Sequence, residues 1–120
     1  MTIDQAIARA DALRPNLLGD GEKARWVIEL EDRLERELGR EARSLRWPED
    51  GGVTLAAQGG YEDVYVLWLC ARIDLALREY DNWNNMASIL NALIDDYKKQ
   101  CLRDKAPAPK QARGVWRRRV

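Results

Sequence analysis

Histidine is absent from the 120-residue sequence. That removes Ser-His-Asp and Cys-His nucleophile pairs and most catalytic zinc sites, which use imidazole as base or ligand. Cysteine is scarce too: Cys70 and Cys101 lie far apart, without metal-ligand spacing, and are expected as free thiols. No secretory signal is evident, and no apolar run approaches the ~20 residues of a membrane-spanning helix. A soluble, intracellular protein is the expectation. Nor is there an excess of one charge: Lys plus Arg and Asp plus Glu each total 20. The chain as a whole therefore has no electrostatic drive toward nucleic acid or anionic lipid, and any such drive must be local.

What is present is 46% hydrophobic and 33% charged residues. This suits one packed domain with a strongly solvated exterior. Thr2 and Gln5 have the spacing of a capping box. Ile3, Ala6, Ile7, Ala10 and Leu13 then recur on one helical face until Pro15-Asn16, which predicts a helix over 3–14. A second helix is predicted from a cap at Asp20 to a stop at Gly39, with Trp26, Val27, Leu30, Leu34 and Leu38 inward. Glu29 with Arg33 and Asp32 with Arg36 are expected as surface pairs.

Residues 40–60 are punctuated by Pro48, Gly51-Gly52 and Gly59-Gly60. They read as a loop or small hairpin, its strands at 44–47 and 53–55. From Tyr61 to Tyr80 apolar residues occupy more than one stripe, one with Trp68 and another with Leu69, both expected to be buried. A helix with two buried faces belongs in the middle of a bundle. Asp81 to Asn85 is the expected turn, followed by a helix over 85–102 on which Met86, Ile89, Leu90, Leu93, Ile94 and Tyr97 point inward. The fold class is thus all-α: about four helices with a central antiparallel hairpin, as a domain over 1–104.

Residues 105–120 form a separate arm. Lys105, Lys110, Arg113, Arg117, Arg118 and Arg119 give it a charge of +6 with no acid, so residues 1–104 carry −6. Pro107 and Pro109 favour an extended spacer. Trp116 among arginines offers an apolar anchor with bidentate donors, and Arg113, Trp116, Arg117, Arg118 and Arg119 are the expected partner-binding residues. The alternative for these residues is a solubilising end.

Other motifs point to structure. Asp74, inside the apolar helix, has Arg78 four residues later as its expected partner. Gly19-Asp20-Gly21 lacks a phosphate-loop pattern. The aromatic stripe of Tyr61, Tyr65, Trp68, Tyr80 and Tyr97 reads as core. No metal, cofactor or catalytic constellation is expected.

Three blocks carry a resemblance. Thr2-Ile3, Ala6-Ile7, Arg9, Asp11-Ala12-Leu13 and Pro15-Asn16 lead into Glu22-Lys23, Arg25-Trp26, Glu29-Leu30 and Asp32-Arg33. Tyr61-Glu62-Asp63-Val64-Tyr65 is followed by Leu69, Ala71, Ile73-Asp74, Ala76 and Glu79, and Asn84-Asn85 by Asn91-Ala92 and Tyr97. Together they resemble the head-tail connector, or adaptor, proteins of tailed phages and prophages. The resemblance covers most of 1–105, is weakest over 40–60 and excludes the arm. It implies a non-enzymatic virion protein at the neck, made in the host cytoplasm. Its copies would form a ring, dodecameric by family resemblance, beneath the portal protein, through which DNA passes. A neck or tail completion protein would bind below. In such adaptors the C-terminal segment commonly docks on the portal. The alternative function is a small nucleic-acid-binding or packaging-associated protein that uses the basic arm on phosphates.

Overall fold

The structure, a computed structural model, describes residues 1–105. Four helices follow one another: α1 (Ile3–Leu13), α2 (Asp20–Glu37), α3 (Asp63–Ala76) and α4 (Tyr80–Lys105), with a 3-10 turn at Gly59–Tyr61 before α3. The described part is an all-α bundle, as the periodicity predicts.

The α1 start matches its capping box: the Thr2 side chain accepts from the Gln5 N–H, and the Gln5 side chain accepts from the Thr2 N–H. The first helix ends at Leu13 with Arg14 as its C-cap. At α2 the N-cap is Gly19 rather than Asp20, which becomes the first helical residue. As a cap, Asp20 would accept from a first-turn N–H; as a first-turn acid it instead favours the positive helix end.

α3 is the central helix. It packs against α1, α2 and α4, burying Val64, Tyr65, Val66, Leu69, Cys70 and Ile73. Leu69 is fully buried as expected, whereas Trp68 is only half-buried. The reason is its indole N–H, which donates to the Trp26 carbonyl at 2.7 Å and holds the ring edge near the surface. Arg72 lies over both rings, 4.9 Å from the Trp26 centroid and 5.4 Å from that of Trp68.

The α3–α4 connection differs from expectation. α3 stops at Ala76, the connection is Leu77–Glu79, and Tyr80 opens α4. The residues read as a turn, Asp81 to Asn85, lie in the first turns of α4. Arg78 adopts φ 61°, while its N–H donates to the Leu75 carbonyl and that of Glu79 to the Asp74 carbonyl. This is the six-to-one and five-to-two pairing of a Schellman stop. α2 ends the same way at Gly39, φ 74°. Ala76 and Tyr80, beyond the packed part of α3, are exposed.

Residues 40–60 form a loop, not a hairpin. Among the described residues only an isolated bridge between Thr2 and Thr54 occurs, and the Leu55 N–H donates to the Met1 carbonyl, so this segment pairs with residues 1–2 instead of with 44–47. The Trp47 indole donates to Asp4 at 3.0 Å, and the Asp4 N–H to the Gly51 carbonyl at 3.2 Å.

Surface pairs on α2 also differ from expectation. Arg25 meets Glu22 and Glu29, and Arg33 meets Glu37, in place of Glu29 with Arg33 and Asp32 with Arg36. Lys98 on α4 donates to Glu37 at 2.7 Å and, with Arg33, holds the Glu37 carboxyl below its ordinary range.

Candidate functional site

The chemistry-bearing groups of the bundle are mostly engaged with one another. Glu31 on α2 is 1% exposed, yet every contact it makes is productive. It accepts from the Tyr65 hydroxyl at 2.6 Å, from the Ala56 N–H at 2.9 Å and from Arg43 at 2.8 Å. The Tyr65 hydroxyl in turn accepts from the Ala57 N–H at 2.9 Å. Burial first, and the adjacent carboxylate second, push the Tyr65 phenol far above its ordinary value. The arrangement fastens the 40–60 loop to α2 and α3. Glu31 and Tyr65 are closed to solvent and satisfied, with Arg43 reaching in from the surface, which is what a structural clip requires.

A second clip centres on Lys23, 2% exposed. Its ammonium donates to Asp11 at 2.8 Å and 3.0 Å and to Asn16 at 3.2 Å, with Asp20 at 3.4 Å. Asn16 also donates to the Arg14 carbonyl and accepts from the Leu18 N–H, so the α1–α2 connection is held by side chains. Asp74 pairs with Arg14 at 2.9 Å across the α1–α3 contact, not with Arg78. Arg78 cannot reach it along a helix face, since it has already left the helix in the left-handed region. Asp11, Asn16, Lys23 and Asp74, all in the resemblance, thus act in packing.

At the other end of α2, Arg40 bridges the Tyr97 hydroxyl at 3.0 Å and Glu35 at 2.8 Å. Burial works against the Arg40 charge, but these two oxygens outweigh it and raise its affinity for the proton. Burial pushes Tyr97 up to about 12, against the opposing pull of Arg40. Tyr97 also stacks, tilted, on Tyr61 with centroids 5.5 Å apart. Cys70 is buried and free, its thiol pushed up by desolvation, and Cys101 is free and half-buried. Among the described residues no three His, Cys, Asp or Glu side chains converge on a metal-sized position, and none of the helices is long and apolar enough to cross a membrane.

The bundle also has an opening that is mainly apolar. Between α1, the first half of α3 and the middle of α4 runs a groove of about 540 Å³. Leu13, Val66, Leu67, Ile89 and Leu93 supply its apolar surface, and Arg9, Asp63 and Asp96 lie at its polar positions. Leu13 is 59% and Ile89 50% exposed, although helical spacing puts both on inward stripes. Leu75, Leu77 and Tyr80 at the α3–α4 turn are exposed as well. The stripe of α4 is wider than the surface α3 offers: Leu90, Ile94 and Tyr97 are buried, and Ile89 on the flank is left over. Stripe width was the available signal for this groove, and spacing alone could not reveal it.

The expected partner-binding residues, Arg113, Trp116, Arg117, Arg118 and Arg119, lie outside the described residues. No protein-family model, curated protein or solved structure matches the chain.

Proposed function

We propose that this chain is a structural subunit of the head-tail connector type, a virion protein that works by docking rather than by chemistry. The observation that carries the reading is the distribution of apolar and polar groups. Buried charges are paired into clips that stiffen the bundle, while leucines, an isoleucine and a tyrosine stand in a groove and at a helix turn, where water meets them. Apolar side chains grouped on a surface mark sites of association. The resemblance gives the association its form: a ring of copies beneath the portal protein, a neck or tail completion protein below, and the basic arm with Trp116 as the portal contact.

The test is a titration of the full chain against portal particles encoded in the same genome. Retention with one-to-one occupancy of portal subunits, weakened about thirtyfold or more by Trp116→Ala, supports the reading, as expected for loss of an interface anchor worth ~2 kcal/mol. A genome without a portal gene beside this one, or particles that do not retain the chain, overturns it. If duplex DNA is retained instead, with affinity falling steeply in salt, the nucleic-acid reading takes its place. Residues 1–104 carry −6, so phosphate binding would fall to the arm alone.

A further inference from the structure

We infer that the groove between α1, α3 and α4 receives the C-terminal arm of the same chain, with Trp116 on its apolar floor. Three observations converge on this occupant. The first is reach. The groove extends along α4 from Asp96 back to Ile89, and at 1.5 Å per helical residue these lie ~14 Å and ~24 Å behind Lys105. Trp116 lies eleven residues beyond Lys105, and at ~3.1 Å per extended residue that stretch spans up to ~34 Å, so the arm can turn and return over the groove. The second is charge. The arm holds +6 against a body of −6. In the groove Arg9 already pairs with Asp63 at 3.3 Å and approaches Glu62 at 3.9 Å, whereas Asp96 has no ion-pair partner among the described residues. An arginine of the arm is the complement that Asp96 lacks.

The third is shape and polarity. The floor of Leu13, Leu67, Ile89 and Leu93 is a run of aliphatic side chains, and Trp116 is the one large apolar side chain between Lys105 and the end of the sequence. Attachment through a short segment raises the effective concentration of the arm at its own groove to the millimolar range, so weak contacts suffice. The inference concerns the chain on its own and stands apart from the connector reading; on a portal, the same arm would leave the groove.

The test compares amide and indole spectra of the full 15N-labelled chain with those of full-length Trp116→Ala and Ile89→Glu. Docking in cis predicts that Trp116→Ala shifts amides of Leu13, Leu67, Ile89 and Leu93. It also predicts that Ile89→Glu moves the Trp116 indole signal to its random-coil position, with no change on tenfold dilution. Asp96→Asn is the second variant, on an exposed position, and is expected to move the same indole signal part of the way. Groove amides that do not respond to Trp116→Ala overturn the proposal. So do shifts that disappear on dilution, which would place the arm on a neighbouring copy. Loss of portal retention with the groove signature intact separates failure of the connector reading from failure of this one.

Discussion

Arg14 donates its Nε proton to Asp74 at 2.9 Å, joining the C-cap of α1 to the last turn of α3 across 60 residues of sequence. The acid is 1% exposed and its second oxygen has no hydrogen-bond partner, so Arg14 is the group that makes its burial tolerable. Removing one partner of a buried pair leaves the other charge without compensation. Arg14→Ala should therefore cost ~2–4 kcal/mol in urea melts. Asp74→Asn, which removes the charge and retains an acceptor, should cost less. Combining the two should cost less than the sum of the single losses. Additive losses would show that the pair is not coupled.

Arg78 holds a left-handed conformation that costs a non-glycine residue roughly 1–2 kcal/mol, and its own side chain makes no hydrogen bond or ion pair among the described residues. Arg78→Gly should consequently raise stability by ~1 kcal/mol. Gly39→Ala, at the equivalent position of α2, should lower it by a similar amount. Chemical denaturation of both variants checks the pair, and two changes of the same sign would contradict a shared stop motif.

These two stops also show what could be read from the sequence. At α2 the Schellman position is glycine, the residue such positions favour, and the boundary read at Gly39 agrees with the structure. At α3 the same geometry is built on arginine, and the apolar pattern through Ala76 and Tyr80 continued past it, so the reading ran on to Tyr80. The Thr2–Gln5 box and the central place of α3 were legible because they rest on local spacing and periodicity. Glu31 with Tyr65, Lys23 with Asp11, and Asp74 with Arg14 were not, since each joins residues on different elements. The groove was hidden for a related reason. Leu13 and Ile89 obey helical spacing, and only the packed neighbours decide that their positions stay open.

Tyr65 ionises near pH 10 in the unfolded chain, but its folded value is raised by burial and by Glu31. Above pH 10 the unfolded state has released a proton that the folded state keeps, so stability is complete below that pH and declines above it. The slope is ~1.4 kcal/mol per pH unit for one such group. Tyr65→Phe should lose ~1–3 kcal/mol at neutral pH, because Glu31 and the Ala57 N–H lose a partner, and it should flatten the alkaline decline. Denaturant midpoints from pH 8 to 11 measure both. Parallel wild-type and variant curves would mean that Tyr65 does not titrate as this site requires.

Leu69 and Ile89 are aliphatic residues of similar size on adjacent helices, yet one is 0% and the other 50% exposed. Truncating each to alanine separates core from docking surface within one measurement series. Leu69→Ala removes buried methyl groups on α3, the helix that packs against all three others, and should cost ~2–5 kcal/mol through lost transfer energy and a residual cavity. Ile89→Ala removes methyl groups that water already reaches, so its stability loss should stay below ~1 kcal/mol. If the groove is a place of association, the order reverses in binding: Ile89→Ala weakens docking of whatever occupies the groove, while Leu69→Ala leaves affinity per folded molecule unchanged. Denaturant melts supply the first comparison. The second comes from titration of the folded fraction with the arm supplied as a peptide of residues 106–120, against a chain ending at Lys105 whose folding the same melts establish. A large stability loss at Ile89 would place it in the core and close the groove as a docking surface.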